Sequence, residues 1–410
     1  MTDRTAIPSA APRSSLPFAE FVILLALMVS ITAMATDIML PALDLIGSEL
    51  GVSNPNDAQL VVSTLFLGFA AGQVLAGPLS DSFGRKPVIY GGYVIFIIGS
   101  AMSLWSHSWE MMIAGRVLQG LGAAAPRIVT LALVRDGHAG RDMARIMSVV
   151  MAVFILVPMI APAVGQVVIR FSGWRATFAV LMAMALVACL WFALRQPETL
   201  PRTERRAFSF RVIAAGLVEV CSSRIAVGYT LATGFIFGAF MSYLSTAQQI
   251  FQQVYDTGPY FALYFGIAAL AIGGASLVNS MLVMRLGMRL LIRTAMIGIV
   301  VISALFAVPA LMAGGIPPFW LFMVWLLAVF FCNGILFGNL NAIAMEPLGH
   351  IAGLGAALVG SVSTFIALPL AWYLGHLFDG NVLPLVGGFG GLAVAALGAS
   401  IWAERGSSKG

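Results

Sequence analysis

The chain has 410 residues, 60% of them hydrophobic and only 10% charged, a balance far from that of water-soluble domains. Lipid must surround most of the folded protein, which excludes a soluble enzyme or carrier; the +5 net charge reflects loop placement and contact with anionic lipid, not a nucleic-acid partner. Lipid satisfies no backbone polar group, so the spans are helices or a closed barrel, and apolar runs of about 20 residues favour helices.

In chain order, residues 1–17, with Arg4, Arg13 and three prolines, read as a cytoplasmic tail. The apolar segment after them is too long for a signal-peptide core and contains Asp37, so it reads as a retained first span. Apolar windows between charged or Pro/Gly breaks predict spans near 18–41, 57–79, 88–106, 110–134, 146–169 and 174–194. A second set falls near 225–250, 258–283, 289–313, 317–345, 351–374 and 381–403. Residues 195–224, polar at first and rich in arginine, form the expected cytoplasmic linker between an N-terminal six-helix bundle, 18–194, and a C-terminal one, 225–403. Residues 404–410 make a second cytoplasmic tail. Of the 22 Lys and Arg, only Arg116 and Arg127 fall well inside a span and only Arg170 and Arg175 on the outer side, which predicts that both termini are cytoplasmic. The expected fold is an all-α integral membrane protein with twelve transmembrane helices.

Between the second and third spans, Gly77-Pro-Leu-Ser-Asp81-Ser-Phe-Gly84-Arg85-Lys86-Pro-Val88 concentrates charge where the chain otherwise has little. Gly84 permits a positive φ at a tight turn, and Asp81, Arg85 and Lys86 suit pairing with each other or with neighbouring helix ends, as a latch on a moving part. A fainter copy, Val283-Met-Arg285-Leu-Gly287-Met-Arg289, follows 203 residues later and lacks the acid. This reads as a duplicated unit with two mechanically unequal halves, an arrangement suited to a rocking transporter.

Asp37 is the carboxylate well inside the first span, and an intramembrane acid is a functional candidate. Its burial suits a site that takes up and releases a proton as water access changes. Arg116 of the fourth span should lie at similar depth, which leaves two readings: a proton-coupling switch, or a static ion pair joining two helices. Arg127 follows Arg116 by eleven residues, within roughly 20° of the same helix face and about 16 Å along the axis, so both are expected to face a cavity. With no evident partner, Arg127 either binds an anionic substrate or snorkels, pairs with the second half or bonds carbonyls.

Pro158, Pro162 and Gly165 remove donors and bulk from the fifth span, where motion would seal or open a cavity, although proline kinks are common in membrane helices. Phe237, Phe240, Met241, Leu244 and Gln248 share a face of the seventh span, Tyr260 and Tyr264 one of the eighth, and Asn333 falls in mid-span. Such surfaces line an adaptable apolar cavity or simply pack helices. Glu346, near Pro347 and His350, either pairs with basic groups of another inner loop as part of a gate or is a solvated helix-end carboxylate. Cys189, Cys221 and Cys332 fit no ligand spacing, and no acid cluster or phosphate loop points to a metal, a nucleotide or an enzyme.

Four stretches together resemble the major facilitator superfamily, and within it the drug/proton antiporters of the bicyclomycin-resistance type. Gly77–Val88 is similar to the superfamily's loop signature, and Arg116-Val-Leu-Gln119-Gly120-Leu-Gly122 resembles the fourth-helix motif of proton-driven members. Pro158-Met-Ile-Ala-Pro162-Ala-Val-Gly165 resembles the antiporter motif, with Ala161 where Gly is common. Thr36-Asp37-Ile-Met-Leu-Pro41, Asn341 through Pro347, and Ala352-Gly353 resemble the subgroup. The resemblance implies two six-helix bundles around a central cavity in a bacterial inner membrane, and a monomer that exports small amphipathic compounds by alternating access. It also implies that the proton gradient supplies the energy, without a cofactor. Asp37 and Arg116 would couple protons. Gln119, Phe237, Phe240, Tyr264 and Asn333 would join Asp37 and Arg127 around substrate, and Gly77, Gly84, the fifth-helix prolines and Glu346 would gate. A proton-coupled importer, or a carrier of an organic anion or other metabolite, is the rival reading.

Overall fold

The computed structural model describes residues 16–138 and 140–405, so the tails expected at 1–17 and 404–410 lie almost wholly outside the described residues. Among the described residues the chain is helical, with no strand. Six long helices come first: α1 (Phe18–Asp37), α3 (Leu60–Phe83), α4 (Arg85–Leu104), α5 (Trp109–Gly137), α6 (Gly140–Ser172) and α7 (Arg175–Arg195). Six more follow: α9 (Arg224–Gln248), α10 (Phe261–Leu286), α11 (Met288–Met312), α12 (Phe319–Met345), α13 (Ala352–His376) and α14 (Leu383–Glu404). These are the twelve predicted spans. Residues 319–376 form one 58-residue apolar stretch, but Pro347 and a non-helical Leu348 within the 3₁₀ segment Glu346–Ile351 divide it into α12 and α13.

Two short helices were not predicted. The chain breaks at Pro41 and resumes as α2 (Leu43–Glu49). The linker contains α8 (Phe210–Ser222), whose Gly216 packs on Leu354 and Leu358 of α13 while Phe210 and Val218 remain exposed. Arginines dominate the front of the linker, and its apolar back half folds as an amphipathic helix.

Each half packs largely on itself. α5 is gripped by α3 and α4 and touched by α1, with α1 also against α6 and α7; in the second half α9 packs on α13 and α14, α10 on α12, and α11 on α12 and α14. A side chain at Gly120 would strike the Leu65 carbonyl, so glycine is what lets α5 approach α3 this closely. The halves meet along two seams, α3 with α13 and α6 with α10. Ile23, Val94, Leu190, Leu277, Met281 and Leu305 are exposed around the perimeter, an apolar belt for lipid.

Candidate functional site

At the end of the molecule that carries the Gly84 and Gly287 turns, here the basic end, both glycines adopt positive φ, 103° and 77°. Arg85 is buried and pairs with Asp81 at 2.5 Å and with Asp136, at the end of α5, at 2.9 Å. Glu198 accepts from the backbone N–H groups of Arg85 and Lys86 at 2.9 and 3.1 Å. Lys86 Nζ donates to the Ala193 and Gln196 carbonyls at 3.2 and 2.6 Å. A carboxylate thus meets the N-terminus of α4 and an ammonium the C-terminus of α7, each against the favourable pole of a helix dipole. All these partners belong to the first half or to the start of the linker that follows it, so in this structure the loop fastens helices of one half together and does not bridge the two. In the second turn Arg289 pairs with Glu346 at 2.6 Å and approaches Glu404 at 3.5 Å. Glu346 therefore has a basic partner, and it too lies within its own half.

Asp37 and Arg116 are both buried, but no ion pair joins them. Arg116 donates from Nε to the Val61 carbonyl at 2.8 Å, from Nη2 to the Ala35 carbonyl at 3.0 Å and from Nη1 to Gln119 Oε1, and it lies over the Phe178 ring. Gln119 in turn donates to Ser100 Oγ at 2.7 Å. The expected direct pairing is corrected accordingly: close packing of α5 on α3 hands the guanidinium to backbone carbonyls and a glutamine inside the first half. For the same reason Arg116 and Gln119 do not face a cavity here. Among the described residues neither Asp37 Oδ1 nor the Tyr243 hydroxyl of α9 has a hydrogen-bond partner. Gly165 of α6 rests against the Ile38 carbonyl beside Asp37, so the fifth-span motif meets the end of α1. Pro158 and Pro162 lie within a continuous α6.

A cavity of about 660 Å³ opens at the basic end between α3, α5 and the start of α13, with the linker along its rim. Gly77, Asp81, Arg85 and Arg127 line it, together with Gln73, Arg135, Asp136, Arg206 and His350. Of the residues expected to touch substrate, Arg127 alone is on its wall. Its guanidinium lies 4.1 Å from the Phe154 ring centre, and its shielded Nη1 has no hydrogen-bond partner among the described residues.

Phe237 and Phe240 form an aromatic group with Phe337 and Phe330, and Phe237 also meets Phe66 of the first half, ring centres 5.8 Å apart. Tyr264 belongs to a different group, with Phe251 and Phe319, because the chain places it within the first turn of α10 at the opposite end. Asn333 is fully buried, and neither amide atom has a hydrogen-bond partner among the described residues.

Sequence reasoning missed how the opposite end is closed. Gln59 donates to Gln249 at 2.8 Å and to the Gly375 carbonyl at 3.2 Å; Asn56 donates to the Phe378 carbonyl at 2.9 Å and accepts from Gln249 at 3.0 Å. Gln248 and Gln253 both donate to Asp44, at 2.7 and 2.6 Å. These bonds run between the two halves, and Gln249–Val254 forms a π-helical turn that brings its amides to that face. The dense Gln248, Gln249, Gln252, Gln253 run at the end of an apolar span was the available signal.

Comparisons with known proteins agree with this architecture. The chain is 28% identical to the bicyclomycin resistance protein homolog of Haemophilus influenzae, covering 83% of this chain and 85% of that protein. It is 29% identical to the chloramphenicol resistance protein of Pseudomonas aeruginosa, covering 82% and 81%. The solved D-xylose-proton symporter superposes with a TM-score of 0.73 at 14% identity, covering 93% of this chain and 97% of that one, a likeness of fold. With residues 25–371 matching the model of the Major Facilitator Superfamily, the chain belongs to that family of membrane transporters.

Proposed function

We propose that the protein is a proton-coupled secondary transporter that exports small amphipathic compounds by alternating access, as a monomer in a bacterial inner membrane with both termini cytoplasmic. No cofactor takes part; proton entry drives export. The observation that carries this reading is the unequal closure of the two ends: side-chain amide hydrogen bonds join the halves at one end, while about 660 Å³ of space lies between them at the other. The open end bears the basic loops, which supports a cytoplasmic orientation for it, the side on which an exporter loads. The relatives named for bicyclomycin and chloramphenicol resistance favour drug-like cargo. Asp37 is the proton site in this scheme, since a lone acid among apolar helices gains or loses its proton as water reaches it. Arg116 braces α1 through the Ala35 carbonyl, two residues before Asp37, and a rocking step brings Asp37 into contact with substrate or water.

Inverted membrane vesicles with an imposed pH gradient test this. At least one of a panel of anionic, neutral and cationic amphipathic dyes should accumulate only with the gradient oriented for proton–drug exchange, and Asp37→Asn should abolish its gradient-driven accumulation while leaving equilibration down the substrate's own gradient. Undiminished coupling in that variant, or uptake in the symport direction, would overturn the reading.

A further inference from the structure

The cavity at the basic end has a charge imbalance that its own residues leave unmet. Arg85, Arg127, Arg135 and Arg206 line it against Asp81 and Asp136, and Arg85 occupies both acids, with Thr199 also donating to Asp136 at 2.8 Å. Arg127, Arg135 and Arg206 have no ion-pair partner among the described residues. Arg127 is the deepest of these in its helix, ten residues before the end of α5. Phe154 covers one guanidinium face, which fixes the plane of the fork, and Nη1 is shielded from solvent with no acceptor. With Nη1 shielded, a ligand in the cavity meets the half-buried remainder of the guanidinium, a charged donor group with no acidic partner among the described residues. Phe69, Ile128 and Leu131 on the same wall supply apolar surface beside it.

We propose that this cavity takes an amphipathic organic anion, its carboxylate or phosphate bound to Arg127 and its apolar body against Phe69, Ile128 and Leu131. The proposal rests on the export reading for its biological role, but the site itself is a binding site and is tested as one. Fluorescein and rhodamine 123 share a xanthene scaffold; the first is anionic and the second a cationic ester. Fluorescence polarisation with the purified protein in lipid nanodiscs should show the wild type binding fluorescein at least about tenfold tighter than rhodamine 123. Arg127→Met should weaken fluorescein by about tenfold or more and leave rhodamine 123 within about twofold, and Arg127→Lys should fall between, keeping charge without the fork. Equal binding of the two dyes by the wild type, or equal loss of both in Arg127→Met, overturns the proposal; the wild-type comparison decides if the variant does not fold. Failure of gradient-driven transport would count against export and leave this binding result standing, so the two readings fall separately.

Discussion

Arg116 shows how a single side chain can be legible in position and illegible in partnership. A charge inside an apolar window is conspicuous, and so Arg116, Arg127 and Asp37 stand out from the sequence. Helical periodicity then gives depth and face, but not which of several nearby acceptors wins. In the structure three nitrogens of Arg116 serve three acceptors on α1, α3 and α5. Lysine has one ammonium on a flexible stem and cannot reach all three. Arg116→Lys should therefore lose about 1–3 kcal/mol, read as a lower unfolding temperature of the purified protein, while the equally conservative Arg135→Lys should change it little. Asp136 and Glu198, which complete the Arg85 cluster, were not singled out because charges at helix ends are ordinary in a membrane protein.

Among elements, the twelve spans were legible because lipid imposes one length and one composition on them. The pieces outside that rule were not. α8 hides behind arginines, and the π turn at the end of α9 has no sequence signature of its own. The Gly84 turn was legible as a turn, yet its role depends on elements distant in sequence. Glu198, past the end of α7, supplies acceptors to the first two amides of α4, the work an N-cap residue does elsewhere. Glu198→Ala should cost about 1 kcal/mol and loosen the basic end of the first half, seen as faster amide hydrogen exchange in the first turn of α4. Glu346→Ala removes an exposed ion pair with Arg289 and should cost less than about 1 kcal/mol. Equal effects of the two would contradict the unequal roles assigned to the turns.

For the whole molecule, the question is what keeps one end shut while the other is open. The seam of α3 with α13 runs from Asn56 and Gln59 at the closed end, past the Ser361 hydroxyl on the Ala70 carbonyl at 2.7 Å, to Gly360 against Gln73 at the edge of the cavity. The same two helices therefore touch at one end and flank a void at the other, the geometry of two bodies tilted about their middle. Most of the closing contacts are neutral amide hydrogen bonds, each worth about 0.5–1.5 kcal/mol, and the two from Gln248 and Gln253 to the Asp44 carboxylate are worth about 1.5–3 kcal/mol each. Replacing both Gln59 and Gln249 by glutamate would set two carboxylates against each other where an amide now donates to an amide. Their repulsion, about 1–3 kcal/mol after screening, should open this end about fivefold or more above neutral pH, and protonation in acid should let it close again. Ser245 in α9 is 2% exposed, so a cysteine there, in a background with Cys189, Cys221 and Cys332 replaced, reports the change through its rate of labelling by a membrane-impermeant maleimide. Faster labelling at high pH in the double variant alone is the expected result; labelling as slow as in the parent would mean that the amide clasp follows the closure of this end and does not cause it.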